Sequence, residues 1–108
     1  MAIPKPNRMF TAQATDANSS TVKWEGGRGV FIAWGTFGGG TCKLQMSPDD
    51  GTTWINVDRA GDTFVTFTAN GEGGFELPKC QLRANLAGST GASVNAGVQS
   101  AKQGGVGV

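Results

Sequence analysis

Asp49, Asp50, Asp58 and Asp62 fall close together and form the densest group of potential acid–base or metal-ligating side chains in the chain. Glycoside hydrolysis would need two carboxylates about 5–10 Å apart across a cleft, one of them with a raised pKa. Here two are adjacent and two flank the next turn, so solvated turn carboxylates are expected. A calcium site would need all four to converge, and the Asp-x-Asp-x-Asp-Gly spacing of a calcium loop is not met. Histidine and tyrosine are both missing. Serine or cysteine triads therefore have no imidazole base, and metals lose their commonest ligand. Cys42 and Cys80 sit among alternating apolar residues and read as small buried hydrophobes, with a cross-strand disulfide as the alternative. The clusters Gly26-Gly27-Arg28-Gly29 and Gly38-Gly39-Gly40 do not lead into Gly-Lys-Ser/Thr or a helix, so they are not phosphate loops. No catalytic residue, cofactor or metal is assigned, and the chain is expected not to be an enzyme.

The aspartates are positioned by a turn. Ser47-Pro48-Asp49-Asp50-Gly51-Thr52-Thr53-Trp54 matches the Asp-box spacing, Ser-x-Asp-x-Gly-x-Thr-Trp, at each defined position. Ser47, Asp49, Gly51, Thr53 and Trp54 are the structural turn residues. The Asp49 side chain accepts from backbone N–H groups a few residues on, as Asx turns do. Gly51 supplies positive φ. Trp54 opens the returning strand, with its ring expected over the hairpin base toward a core. The box predicts a hairpin between Thr41–Met46 and Thr53–Asp58. It carries no chemistry of its own, and without arginine clusters or a tyrosine nucleophile it does not indicate a sialidase.

Period-two alternation with turn signals at about 8–12-residue spacing predicts about eight short strands and an all-β antiparallel sandwich or barrel. Val30, Ile32 and Trp34 share one face of Arg28–Trp34, and Phe31 and Ala33 share the other. Both faces are apolar, so this strand is central or covered by another subunit. Thr21–Trp24 is expected to pair with it across Glu25-Gly26-Gly27. Gly35–Gly40 is too glycine-rich for a strand, and its Phe37 is a candidate exposed aromatic. Thr63–Ala69 reads as a strand, with Asn70-Gly71, widened by Glu72-Gly73-Gly74, as a hairpin turn leading to Phe75–Leu77. Cys80–Ala87 and Ala92–Val98 alternate cleanly. The domain reading is an extended N-terminal arm at 1–8, a sandwich at 9–99 and a flexible tail at 100–108.

The 108 residues carry nine basic and eight acidic side chains, a net charge of +1, which gives no electrostatic case for nucleic acid. No apolar stretch approaches the roughly 20 residues of a membrane helix, and the start lacks the pattern of a secretory signal. A reducing cytoplasm and no membrane partner are expected.

The run Lys43–Trp54 resembles a hairpin common in small virion proteins of tailed bacteriophages, and Phe75–Leu86 is similar to the strands that close those domains. With Gly88–Ser93 the resemblance covers about residues 41–98. It implies a non-enzymatic virion protein assembled in the host cytoplasm. The type implied is a capsid decoration (cement) protein on the major capsid protein, or a tail or neck accessory bound to another virion protein. A homo-oligomer of two or three chains is expected, with Ile3, Pro4, Pro6, Met9, Phe10 and Phe37 as candidate partner contacts. The alternative class is a carbohydrate-binding sandwich, with Trp24, Trp34, Phe37 and Trp54 as sugar platforms.

Overall fold

The computed structural model describes residues 7–58 and 65–100, and the chain there is all-β in two antiparallel sheets. Its strands are β1 (Asn7–Gln13), β2 (Ala17–Asn18), β3 (Val22–Trp24), β4 (Gly27–Thr36), β5 (Thr41–Ser47), β6 (Ile55–Asn56), β7 (Thr66–Phe67), β8 (Gly71–Leu77), β9 (Cys80–Ala87) and β10 (Ser93–Ser100). The first sheet has the order β1-β10-β4-β8. The second is built on the β9–β5 pair, with β2 and β3 on the far edge of β9, and β6 and β7 on the far edge of β5.

Alternation decides which side chains meet between the sheets. From the first sheet come Phe31 and Ala33 of β4 and Val94, Ala96 and Val98 of β10. From the second come Cys42 and Leu44 of β5 and Leu82, Ala84 and Leu86 of β9. All are close to fully buried in one continuous core. Aromatic contacts close its ends. Trp24 tilts against Phe75 with ring centroids 5.0 Å apart, and Phe31 stacks on Phe67 at 5.9 Å.

The strand faces expected from alternation hold for β4, β5, β9 and β10, whereas several of the expected pairings do not. β3 does not pair with β4: it pairs with β9 in the second sheet, so the chain crosses between sheets at Glu25-Gly26. Asn70-Gly71 is not a hairpin turn. Gly71–Leu77 is a continuous strand on β4, with Gly73 opposite Phe31 and Gly74 opposite Val30. Glycine is tolerated there because the strand lies close to a ring. A Cβ at Gly71 would stand 2.9 Å from Phe67 Cδ1. β4 also runs on through Gly35 to Thr36 before the glycine turn begins.

The separate strands expected at Thr53–Asp58 and Thr63–Ala69 form one interrupted edge strand along β5. Asn56 pairs with Gln45 and Thr66 with Lys43, and Leu44 bridges the break. The Leu44 carbonyl accepts from Val57 N–H at 3.1 Å, and Leu44 N–H donates to the Val65 carbonyl at 3.0 Å. Of the domain boundaries, Asn7 and Arg8 belong to β1 rather than to an arm, and Ser100 belongs to β10 rather than to a tail. Residues 1–6, 59–64 and 101–108 lie outside the described residues.

Candidate functional site

The Asp-box corner is held by the side chains of Ser47 and Asp49. Ser47 Oγ accepts the Gly51 N–H at 2.7 Å and donates to Asp49 Oδ1 at 3.0 Å. The same Asp49 oxygen accepts the Thr53 N–H at 2.7 Å. Asp50 and Gly51 take φ values of +64° and +97°, a geometry that asks for glycine at one of the two positions. The Thr53 hydroxyl, then its backbone N–H, holds the Asp49 carboxyl below its ordinary value. Asp50 accepts from Gln81 Nε2, which ties the corner to β9.

Trp54 does not fold into the core. It is half-buried on the outer face of the second sheet, where the Arg83 guanidinium lies 4.3 Å from its ring centroid. Arg83 Nε donates to Gln45 Oε1 at 2.8 Å, and Gln45 Nε2 donates to Asn56 Oδ1 at 3.0 Å. That face is a ladder of mutually satisfied amides. Ile55, next along the edge strand, is 48% exposed, the one large hydrophobe among the described residues to stand so far out.

The aspartates do not converge. Asp16 caps the turn before β10, accepting from Gly88 N–H, Ser89 N–H and the Ser89 hydroxyl at 2.9, 2.9 and 2.6 Å. The Ser89 hydroxyl leads in lowering its pKa, followed by the Ser89 and Gly88 N–H groups. Asp58 accepts from Val65 N–H at 2.7 Å and from the Thr66 hydroxyl, stapling the two halves of the interrupted edge strand. Asp62 lies outside the described residues. No group of three metal-ligating side chains occurs among the described residues.

Cys42 and Cys80 are both free. Cys42 sits opposite Leu86, and Cys80 lies six residues further along β9, which is about 20 Å of extended strand. A disulfide needs Cα atoms within about 7 Å, so the two cannot be bridged. Burial pushes the Cys42 thiol up to about 12, and Cys80 up as well, so neither is an activated nucleophile. Cys80 borders an open hollow of about 320 Å³ with Lys23, Lys79 and Asp50. A second cleft, about 510 Å³, is walled by Val30, Val57, Val65, Phe75 and Leu77, with Arg28, Asp58 and Glu76 as its charged lining.

Three candidate partner contacts prove to be core. Met9 and Phe10 are 7% and 3% exposed, because β1 is a sheet strand whose side chains reach under β10. Phe37 is 6% exposed: the turn that carries it folds back on itself, with Gly40 N–H bonded to the Phe37 carbonyl at 2.8 Å. Ile3, Pro4 and Pro6 lie outside the described residues.

The surface that stands out is the outer face of the first sheet. Down the middle of β4 run Val30, Ile32 and Trp34, all half-buried, with Phe31 and Ala33 turned to the core. Straight across the four strands lies the row Arg8–Gly97–Ile32–Glu72. Arg8 reaches inward over this face. Its guanidinium lies 4.9 Å from the Trp34 ring centroid, and it donates to Asn95 Oδ1 at 3.4 Å. Alternation in the sequence identified the apolar row. The charges at its two ends could not be seen there, because they come from strands far apart along the chain.

No protein-family model matches this chain, and no curated protein or solved structure matches it.

Proposed function

We propose that this chain is a non-enzymatic structural protein of a tailed-bacteriophage virion, a capsid decoration protein that binds the major capsid protein and stabilises the head. One observation carries the reading: Asp16, Asp49, Asp50 and Asp58 each accept hydrogen bonds that hold a turn or a strand join. These four carboxylates serve rigidity, as suits a protein whose work is added buried area between neighbouring subunits. The resemblance of residues 41–98 to small virion proteins supports the same role. With Met9, Phe10 and Phe37 in the core, capsid docking falls to the segment before Asn7, which carries Ile3, Pro4 and Pro6 and leads into an outer strand of the first sheet.

Quantitative mass spectrometry of purified particles tests this. The chain should be present in fixed proportion to the major capsid protein, and its absence from intact particles refutes the role. A variant lacking residues 2–6 should fold normally and fail to bind particles stripped of the native chain. Full binding by that variant would move docking elsewhere on the domain.

The carbohydrate-binding alternative keeps two of its four platforms. Trp24 and Phe37 are buried, while Trp34 and Trp54 are half-buried on opposite outer faces, each beside an arginine. A glycan panel that shifts tryptophan fluorescence in the wild type and not in Trp54→Ala would favour it over the virion role.

A further inference from the structure

We propose that the outer face of the first sheet is a homodimer interface, with two copies packed face to face about a twofold axis running parallel to the strands. The dimer needs only this face and does not depend on the virion role. It begins from an apolar row, Val30, Ile32 and Trp34, on the side of the sheet that points away from the core. A monomeric sandwich has no use for apolar side chains there, because each sheet needs only one apolar face. Glycines flank the row: Gly97 lies beside Ile32 on β10 and Gly74 beside Val30 on β8. Ile32 therefore stands as a ridge with a shallow groove beside it at Gly97 on β10, and Gly74 leaves a second gap beside Val30 on β8.

Charge selects the occupant and its orientation. In the row Arg8–Gly97–Ile32–Glu72, Arg8 springs from the outermost strand at one side, its guanidinium resting over Trp34 in the single copy, and Glu72 from the outermost strand at the other. Both end residues are exposed. A twofold axis along the strands, between β10 and β4, lays β1 of one copy over β8 of the other. Arg8 then meets the partner's Glu72, the reciprocal pair forms by symmetry, and each Ile32 stands over the partner's Gly97. An axis across the strands would instead oppose Arg8 to Arg8 and Glu72 to Glu72. The row is thus self-complementary in one orientation and repulsive in the other, a pattern that specifies a second copy of this chain.

The available area is sufficient. Four strands at about 4.8 Å spacing and eight residues at about 3.3 Å give roughly 500 Å² per copy. The total, on the order of 1,000 Å², is at the lower limit for a specific interface, so a reversible dimer in the micromolar range is expected.

Sedimentation velocity on the full chain over a concentration series tests the interface, with circular dichroism melts confirming that each variant is folded. The wild type should dimerise, and Ile32→Asp should be monomeric. Arg8→Glu and Glu72→Arg should each weaken the dimer by about tenfold or more, and the two together should restore it, because the swapped charges again face each other. This rescue remains decisive even if Ile32→Asp fails to fold. A wild type that stays monomeric overturns the proposal, as it would if another virion protein occupied this face. A dimer indifferent to both single charge changes, or not rescued by the double change, overturns it as well. Particle association is scored separately. A dimer that does not bind particles refutes the virion role alone, and particle-bound monomers refute the dimer alone.

Discussion

Asp58→Ala should unfold the edge of the second sheet at a cost out of proportion to one half-exposed side chain. Asp58 accepts from Val65 N–H at 2.7 Å and from the Thr66 hydroxyl, and it joins Val57 to Val65 where the edge strand is interrupted. Hydrogen bonds to a charged acceptor contribute about 1.5–3 kcal/mol each, and an orphaned buried donor costs about 1–3 kcal/mol. Val65 is 1% exposed, so its N–H would be left with little access to water. The contributions overlap, and a net loss of about 2–4 kcal/mol follows. For a domain of this size each kcal/mol moves the midpoint by roughly 4–8 °C, which puts the expected fall between roughly 8 and 32 °C. Thermal melts followed by circular dichroism, with urea titrations in parallel, would measure it. Thr66→Val is the internal control. It removes the hydroxyl donor, keeps the Val65 bond and orphans no donor, so it should cost about 1.5–2 kcal/mol, less than Asp58→Ala. An Asp58→Ala variant melting within about 3 °C of the wild type would show that β5 holds both halves of the edge strand unaided.

Other expectations concern the turns, the core and the thiols. The Asp16 and Asp49 carboxyls are held below their ordinary value of 3.8, so the stability they contribute is present above that value and is lost as pH falls through and below it. Urea midpoints should therefore drop between neutral pH and pH about 3, and less steeply in the Asp16→Asn/Asp49→Asn double variant. Asp49→Ala alone should lower the melting temperature, and an unchanged value would leave Ser47 and Gly51 as the holders of the corner. A Cβ at Gly29 would stand 2.4 Å from Trp24 Cη2 and 2.8 Å from Phe75 Cζ, so Gly29→Ala should cost about 1–3 kcal/mol by urea denaturation. In the native protein a thiol reagent should modify Cys80 and spare Cys42, with both reacting after denaturation. Equal native reactivity would contradict the burial of Cys42.

Most of the strand faces could be read from the residues alone. The alternation of Cys42, Leu44 and Met46, of Leu82, Ala84 and Leu86, and of Val94, Ala96 and Val98 follows from a side-chain period of two that needs no partner to define it. The Asp-box corner was legible for a similar reason, since the bonds among Ser47, Asp49, Gly51 and Thr53 run within a few residues, although the tie from Asp50 to Gln81 was not. Its tryptophan was not. Trp54 lies under Arg83, a residue that adjoins it only because β9 pairs with β5.

Strand pairing was beyond local reading, and the topology explains why. Among the described strands, β5–β6 is the one sequential pair that forms a hairpin, while the chain passes between sheets before β2, β4, β5, β8, β9 and β10. Turn signals mark where the chain reverses and do not say which sheet it joins next. Asn70-Gly71 therefore suggested a hairpin where the chain in fact changes layers, and Phe37 and Met9 looked available for contact where the opposite layer covers them. The amino-acid order by itself determined an all-β chain, its alternating faces, the Asp-box hairpin and an apolar row on both sides of Arg28–Trp34, because each depends on neighbours a few residues away. The tertiary structure settled that Ile32 stands in line with Arg8 and Glu72, that Asp58 joins a broken edge strand, and that the two cysteines lie too far apart to pair. Each of these joins segments distant along the chain, and only the packing of two sheets around one core brings them together.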